Sequence, residues 1–231
     1  MYRLFIANKN YSSWSLRPWV LMQECAIPFE EQQVRFLSSD NWEQFRAFAP
    51  NGQVPCLHDG QARVWDTLAI VEYLAERHPG IWPDDPLARA WARCAAAEMH
   101  SGFSALRNHF LMSCGVRIRL HTIPDPVRRD IDRIDELWSE GLARFGGPFL
   151  AGKAFTAADA FFAPVVFRAQ TYGLKLGEVA SAYAARLLDR PAMRRWYAEA
   201  LAEPFREESH DKEAQVAGTV MEDLRVRASG A

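Results

Sequence analysis

Hydrophobic and polar positions divide the chain into two stretches of different rhythm. Tyr2 to Ala7 is mostly apolar and stops at the polar Asn8-Lys9-Asn10, which predicts a short strand. Ser12 or Ser13 can then cap a helix running through Trp19-Val20-Leu21-Met22, with Pro18 early in it, where a missing N–H costs least. Pro28 breaks that pattern, and Glu30 to Phe36 alternates enough for a second strand. Asn41 to Phe48 reads as a short helix. Val54 to His58 and Ala62 to Trp65 read as two strands around the turn Asp59-Gly60. Thr67 to Arg77 is amphipathic, with Leu68, Ile70, Val71 and Leu74 on one side.

The rhythm changes after Pro79-Gly80-Ile81-Trp82-Pro83-Asp84-Asp85-Pro86, whose prolines, glycine and acids mark a linker. Beyond it no strand pattern is convincing. Helical stretches are predicted over Leu87 to about Ser113, Pro126 to about Phe145 and Ala157 to about Tyr172, with shorter ones over Glu178–Leu188 and Ala192–Ala202. Glu207 to Ala231 is polar and is expected to be a loosely held tail. A mixed half followed by a helical half is a two-domain signature. The expected division is residues 1–79, a linker at 80–86, and residues 87–231. The order strand, helix, strand, helix, hairpin, helix is that of a thioredoxin-like domain. The expected fold is therefore an α/β thioredoxin-like N-terminal domain plus an all-α C-terminal domain.

Composition narrows the chemistry. With 231 residues and a formal net charge of -2, neither nucleic acid nor an anionic membrane is implied as partner. No apolar run spans a bilayer, and the N-terminus lacks a signal peptide's length and cleavage site. Cys25, Cys56, Cys94 and Cys114 form no CxxC pair, which suits reduced thiols in a cytoplasmic protein. The six histidines are scattered, so no metal site is expected.

Three segments fall at the loop edge of the first domain. Tyr11-Ser12-Ser13-Trp14-Ser15-Leu16-Arg17 puts hydroxyls at a helix N-terminus, where free N–H groups favour an anion such as a thiolate. A hydroxyl donating to the sulfur favours the thiolate further. Asn51-Gly52-Gln53-Val54-Pro55-Cys56-Leu57 starts a strand with a proline, which suits a cis turn that exposes the Val54 backbone to an extended peptide. Asp66-Thr67 precede a helix, where a carboxylate and a hydroxyl beside free N–H groups can hold an amino acid terminus. Capping alone also accounts for the serines and for Asp66-Thr67.

In order and spacing these segments resemble the cytosolic glutathione transferase superfamily, nearest its serine-type bacterial members and the zeta class. The resemblance spans roughly the whole chain and is most specific between residues 11 and 76. It implies glutathione as co-substrate, a catalytic serine at Ser12 with Ser13 as the alternative, and a cis Pro55 beside a Val54 backbone that pairs with the peptide. It also implies glutathione contacts from Gln53, Val54, Pro55, Asp66 and Thr67, and a homodimer in the cytoplasm. Thr156 and Asp159 resemble the family's capping box before a buried core helix. Two departures count. Trp14 stands where zeta isomerases carry a cysteine, and no cysteine occupies the Ser12 position as in cysteine-type members. Cys56 reads as a small buried hydrophobe.

A second-substrate pocket is expected between the domains. Met99, Phe103 and Arg107 belong to one predicted helix, on which His100, Phe103 and Arg107 share a face. Tyr11 and Trp14 complete the candidate lining, although Met99 and Phe103 equally suit an interhelical core. The expected activity is conjugation of glutathione to a hydrophobic electrophile. The alternatives are a glutathione-dependent isomerase or dehalogenase of a catabolic pathway, and a binding or scaffold protein without turnover.

Overall fold

The computed structural model describes residues 1–37 and 40–226. Strand β1 (Tyr2–Ile6) is followed by α1 (Ser13–Glu24), β2 (Phe29–Gln33), α2 (Trp42–Arg46), β3 (Cys56–Asp59), β4 (Ala62–Val64) and α3 (Thr67–Ala75). The sheet runs β2-β1-β3-β4, with β1 parallel to β2 and antiparallel to β3, and β3 antiparallel to β4. The parallel pair needs a crossover, and α1 supplies it. Leu4 and Ile6 of β1 are fully buried and pack with Leu16, Trp19 and Val20 of α1.

The rest is mainly helical: α4 (Pro86–Ser101), α5 (Ser104–His109), α6 (Asp125–Phe145), α7 (Ala157–Tyr172), α8 (Glu178–Leu188), α9 (Pro191–Ala202) and α10 (Glu208–Ala217). Helix α7 is the hub. It is buried almost all round, which marks a central rather than a surface helix, and it packs against α1, α4 and α8. Its start is the expected capping box. The Thr156 N–H donates to Asp159 Oδ2 at 2.9 Å, and the hydroxyl does so at 3.1 Å. Asp159 Oδ1 also accepts from the Leu150 N–H at 3.0 Å and the Tyr183 hydroxyl at 2.8 Å.

Three sequence expectations are corrected. The helix predicted from Leu87 to about Ser113 is broken: Gly102 is extended and Phe103 adopts a left-handed conformation at φ 52. A Cβ on Gly102 would lie 2.6 Å from the Glu98 carbonyl oxygen, so only glycine fits that step. Strands are also present in the second half. β5 (Val116–Leu120) pairs antiparallel with β6 (Gly218–Asp223). Finally, α10 and β6 occupy what was expected to be a loose tail. Gly218 lets the two strands close, since a Cβ there would meet the Arg119 carbonyl oxygen at 2.3 Å. Residues 227–231, the end of that expected tail, lie outside the described residues.

Candidate active site

A cleft of about 850 Å³ opens between the sheet half and the helical half. Its floor is built by the three segments singled out above. Tyr11, Ser12, Ser13 and Trp14 come from the β1–α1 junction, Gln53, Val54 and Pro55 from the approach to β3, and Asp66 and Thr67 from the start of α3. Residues scattered over more than fifty positions thus converge at two helix N-termini, each with N–H groups that no carbonyl of its own helix can satisfy. The Val54–Pro55 bond is cis.

The two serines differ. Ser12 caps α1: its Oγ accepts the Ser15 N–H at a long 3.4 Å, and its hydroxyl donates to Ser15 Oγ at 2.7 Å. Ser12 is only 5% exposed. Ser13 is the first residue of α1 and partly exposed, and its hydroxyl makes no hydrogen bond among the described residues. Tyr11 is not available to a ligand in the same way. Its hydroxyl donates to Asp211 at 3.0 Å and accepts from Arg225 at 2.9 Å and from the Glu207 N–H at 3.3 Å. Burial, with the nearby Asp211 charge, pushes the phenol up to about 12.

At the other end, Asp66 caps α3 by accepting the Leu68 N–H at 3.0 Å and meets His100 Nε2 at 3.3 Å. Burial lowers the pKa of His100, with Arg17 and Arg107 adding to the effect against Asp66. The buried Thr67 hydroxyl donates to the Trp14 carbonyl at 3.4 Å, tying the first and third segments together.

The helical wall brings arginines. Arg107 and Arg168 both line the cleft. Arg107 donates to the carbonyls of His100 and Gly102, and Arg168 to those of Phe110 and Pro164. Neither has a carboxylate partner among the described residues. Arg17, fully enclosed behind Trp14, leaves Nε and Nη1 without partners and lies 4.2 Å from the Trp14 ring. Burial lowers its pKa well below the usual arginine value, reinforced by the charges of Arg107 and Arg168. Met99 and Phe103 are elsewhere. Met99 is fully buried in the core, and Phe103 packs on Phe162 across the helix break. The break also separates His100 and Arg107 onto different helices.

Sequence reading missed Arg168, Asn108, Leu111 and Met112 on the helical side, and Phe36, Trp42 and Phe45 beyond β2. It also missed His210, which α10 brings to the cleft. A signal for the returning segment was present. Val116-Arg117-Ile118-Arg119-Leu120 alternates apolar and basic residues in strand rhythm. Cys56 is buried, with its thiol pushed up to about 11 by burial. Among the described residues no group of three or more His, Cys, Asp or Glu could hold a metal ion, and no helix is long and apolar enough to cross a membrane.

An α/β sheet domain joined to a helical domain, with a cleft between two helix N-termini, defines a class of fold shared by many glutathione-using proteins. Comparison with known proteins places the chain within it. Residues 11–77 match the glutathione S-transferase N-terminal domain model, and residues 60–199 match the C-terminal domain model. The chain belongs to the glutathione S-transferase family. It is 27% identical over 175 residues to a probable maleylacetoacetate isomerase of Caenorhabditis elegans, covering 73% of this chain and 78% of that protein. A shorter match, 44% over 62 residues, links it to the dichloromethane dehalogenase of Methylorubrum extorquens, covering 26% of this chain and 21% of that protein. The theta class glutathione S-transferase of Xanthomonas axonopodis pv. citri, solved with glutathione bound, superposes with a TM-score of 0.63 at 25% identity, covering 85% of this chain and 96% of that one.

Proposed function

We propose that this protein binds glutathione in the cleft and uses its thiolate to attack an electrophile held against the helical wall. The observation that carries this reading is the convergence of Ser12-Ser13, Gln53-Val54-Pro55 and Asp66-Thr67 on one cleft. The peptide's cysteinyl part would pair with the Val54 backbone, and its γ-glutamyl end would meet Asp66 and the start of α3. The sulfur would then lie at the start of α1, where the Ser12 or Ser13 hydroxyl and the helix N–H groups favour its charge. Catalysis would come from positioning and thiolate stabilisation. In this reading residues 1–79 bind glutathione, 80–86 link, and the helical part holds the electrophile, in a cytoplasmic homodimer.

The chemistry at the electrophile has two candidates. Trp14, Leu111 and Met112 suit conjugation to an apolar compound. Arg107 and Arg168, without carboxylate partners among the described residues, favour an acidic one and, with it, isomerisation. The relative named as an isomerase points the same way, while Trp14 in place of the zeta cysteine counts against maleylacetoacetate itself. Titration calorimetry with glutathione tests the first step. A ligand at a hundred times its dissociation constant raises stability by about 2.7 kcal/mol if only the folded state binds it. Thermal melting with millimolar glutathione should therefore rise by several degrees. No heat and no shift would remove the reading. A panel of neutral and anionic electrophiles then separates conjugase from isomerase, and binding without any turnover would leave a glutathione-binding scaffold.

A further inference from the structure

His210 reaches the cleft from the opposite end of the described chain and carries an acid–base group there that the serine mechanism does not use. Its ring lies 5.2 Å from the Tyr11 ring, the residue next to Ser12, and stacks on Phe36 at 5.3 Å. Its Nδ1 is hydrogen-bonded to Glu207 Oε2. Glu207 is almost fully buried. Burial alone would raise its pKa, but donors from the Ser209 hydroxyl, the His210 N–H and the His210 ring bring it down to about 2. An ionised carboxylate can only accept, so Nδ1 donates to it, and in the imidazole form Nε2 is the nitrogen that can accept a proton. Among the described residues Nε2 has no hydrogen-bond partner. The mount is firm: Asp211, the next residue, accepts from the Tyr11 hydroxyl, and Arg225 donates to both. A base within the cleft, oriented by a carboxylate behind it, is the arrangement that activates a nucleophile.

We propose that His210 is the proton acceptor for the bound glutathione thiol and that Glu207 is its positioning residue. The proposal rests on the glutathione reading above. In the step, the S–H bond breaks and its electron pair stays on sulfur. The proton forms a new bond to His210 Nε2, while the other proton stays on Nδ1, hydrogen-bonded to Glu207. The imidazolium then faces an ionised carboxylate, and the thiolate is left at the start of α1. The proton passes to solvent in a conjugation or returns to substrate carbon in an isomerisation. Ser12 and Ser13 set how stable the thiolate is, and His210 sets how fast it forms.

Stopped-flow mixing of the full chain with reduced glutathione tests this directly, because the thiolate absorbs in the ultraviolet and no electrophile is needed. In His210→Ala and His210→Gln, thiolate appearance should slow on the order of a hundredfold, with glutathione affinity by calorimetry retained. Added imidazole should restore much of the rate in His210→Ala and leave the unaltered protein unchanged. Glu207→Gln keeps an acceptor for the α10 cap but loses the charge, and should slow the same step. Wild-type rates in both His210 variants overturn the proposal. So does weakened glutathione binding without rescue by imidazole, which makes His210 a residue that holds the peptide. A wild-type rate in Glu207→Gln overturns the role of the pair. Absence of heat with the unaltered protein fails the glutathione reading instead, and is distinguishable for that reason.

Discussion

Replacing Ser12 by alanine removes two interactions at once, and the structure allows their sizes to be compared. The first is internal: the Ser12 hydroxyl donates to Ser15 Oγ at 2.7 Å, and its Oγ caps the Ser15 N–H at 3.4 Å. Losing an N-cap costs about 1 kcal/mol of stability, and the length of this cap places the loss at the lower end. The second concerns bound glutathione. A hydrogen bond to a charged group contributes about 1.5–3 kcal/mol, against about 1 kcal/mol for the neutral Ser12–Ser15 bond that must open for Ser12 to turn to the sulfur. The net preference for thiolate is then about 0.5–2 kcal/mol, or roughly one pKa unit at about 1.36 kcal/mol per unit. Ultraviolet titration of the bound thiol should show that rise in Ser12→Ala, with glutathione affinity for the neutral thiol barely changed. Ser13→Ala is the control. The Ser13 hydroxyl gives up no partner among the described residues in turning to a ligand, so it is a real competitor. If only Ser13→Ala moves the pKa, the roles exchange. If neither variant moves it, the serine-thiolate mechanism is refuted, and Tyr11 does not replace it, because its hydroxyl proton is committed to Asp211.

Asp66→Ala should raise the KM for glutathione with kcat at saturation nearly intact, since in the proposed pose the carboxylate would meet the far end of the peptide. A collapse of kcat at unchanged KM would contradict that placement. Asp159→Ala should cost about 3 kcal/mol or more in urea unfolding, because it strands four buried donors, each worth about 1–3 kcal/mol when left unpaired; a loss below about 1 kcal/mol would show that water replaces the carboxylate. The depressed pKa of Glu207 has a defined sign. Its folded value lies below the ordinary 4.5, so its contribution is fully present above about 4.5 and lost as pH falls toward about 2. Acid should therefore loosen α10 first, read as faster hydrogen exchange over residues 208–217 between those pH values; uniform loss across the chain would argue otherwise.

The sheet half was legible because its signals are local. The polar stop after β1, the proline before β3 and the Asp-Thr pair before α3 each mark a boundary within a few residues, and these boundaries are the cleft floor. The Thr156–Asp159 box was legible for the same reason. The helical wall was harder to read. A continuous 3.6-residue pattern runs through Gly102, and the break there arises from a glycine conformation and a left-handed Phe103 that periodicity does not register. β6 was invisible because its residues are mostly exposed and its two large apolar ones, Val220 and Met221, are adjacent, so a strand held mainly by its neighbour leaves no hydrophobic alternation. With β6 unread, α10 seemed to have no anchor, and His210 fell among the scattered histidines.

The Arg225–Tyr11 contact joins residues separated by 214 positions. A ribosome therefore releases the sheet half, with its serines and its cleft floor, long before the residue that satisfies the Tyr11 hydroxyl has been made. During synthesis the nascent sheet half can fold as a unit, yet the cleft lacks His210 until α10 and β6 have been made and β6 pairs with β5. The segment made last is thus also the one that carries His210. A chain stopped before residue 207 should fold into a recognisable core and still be unable to ionise its thiol quickly, so that completeness of the polypeptide and competence of the site are read out by one event.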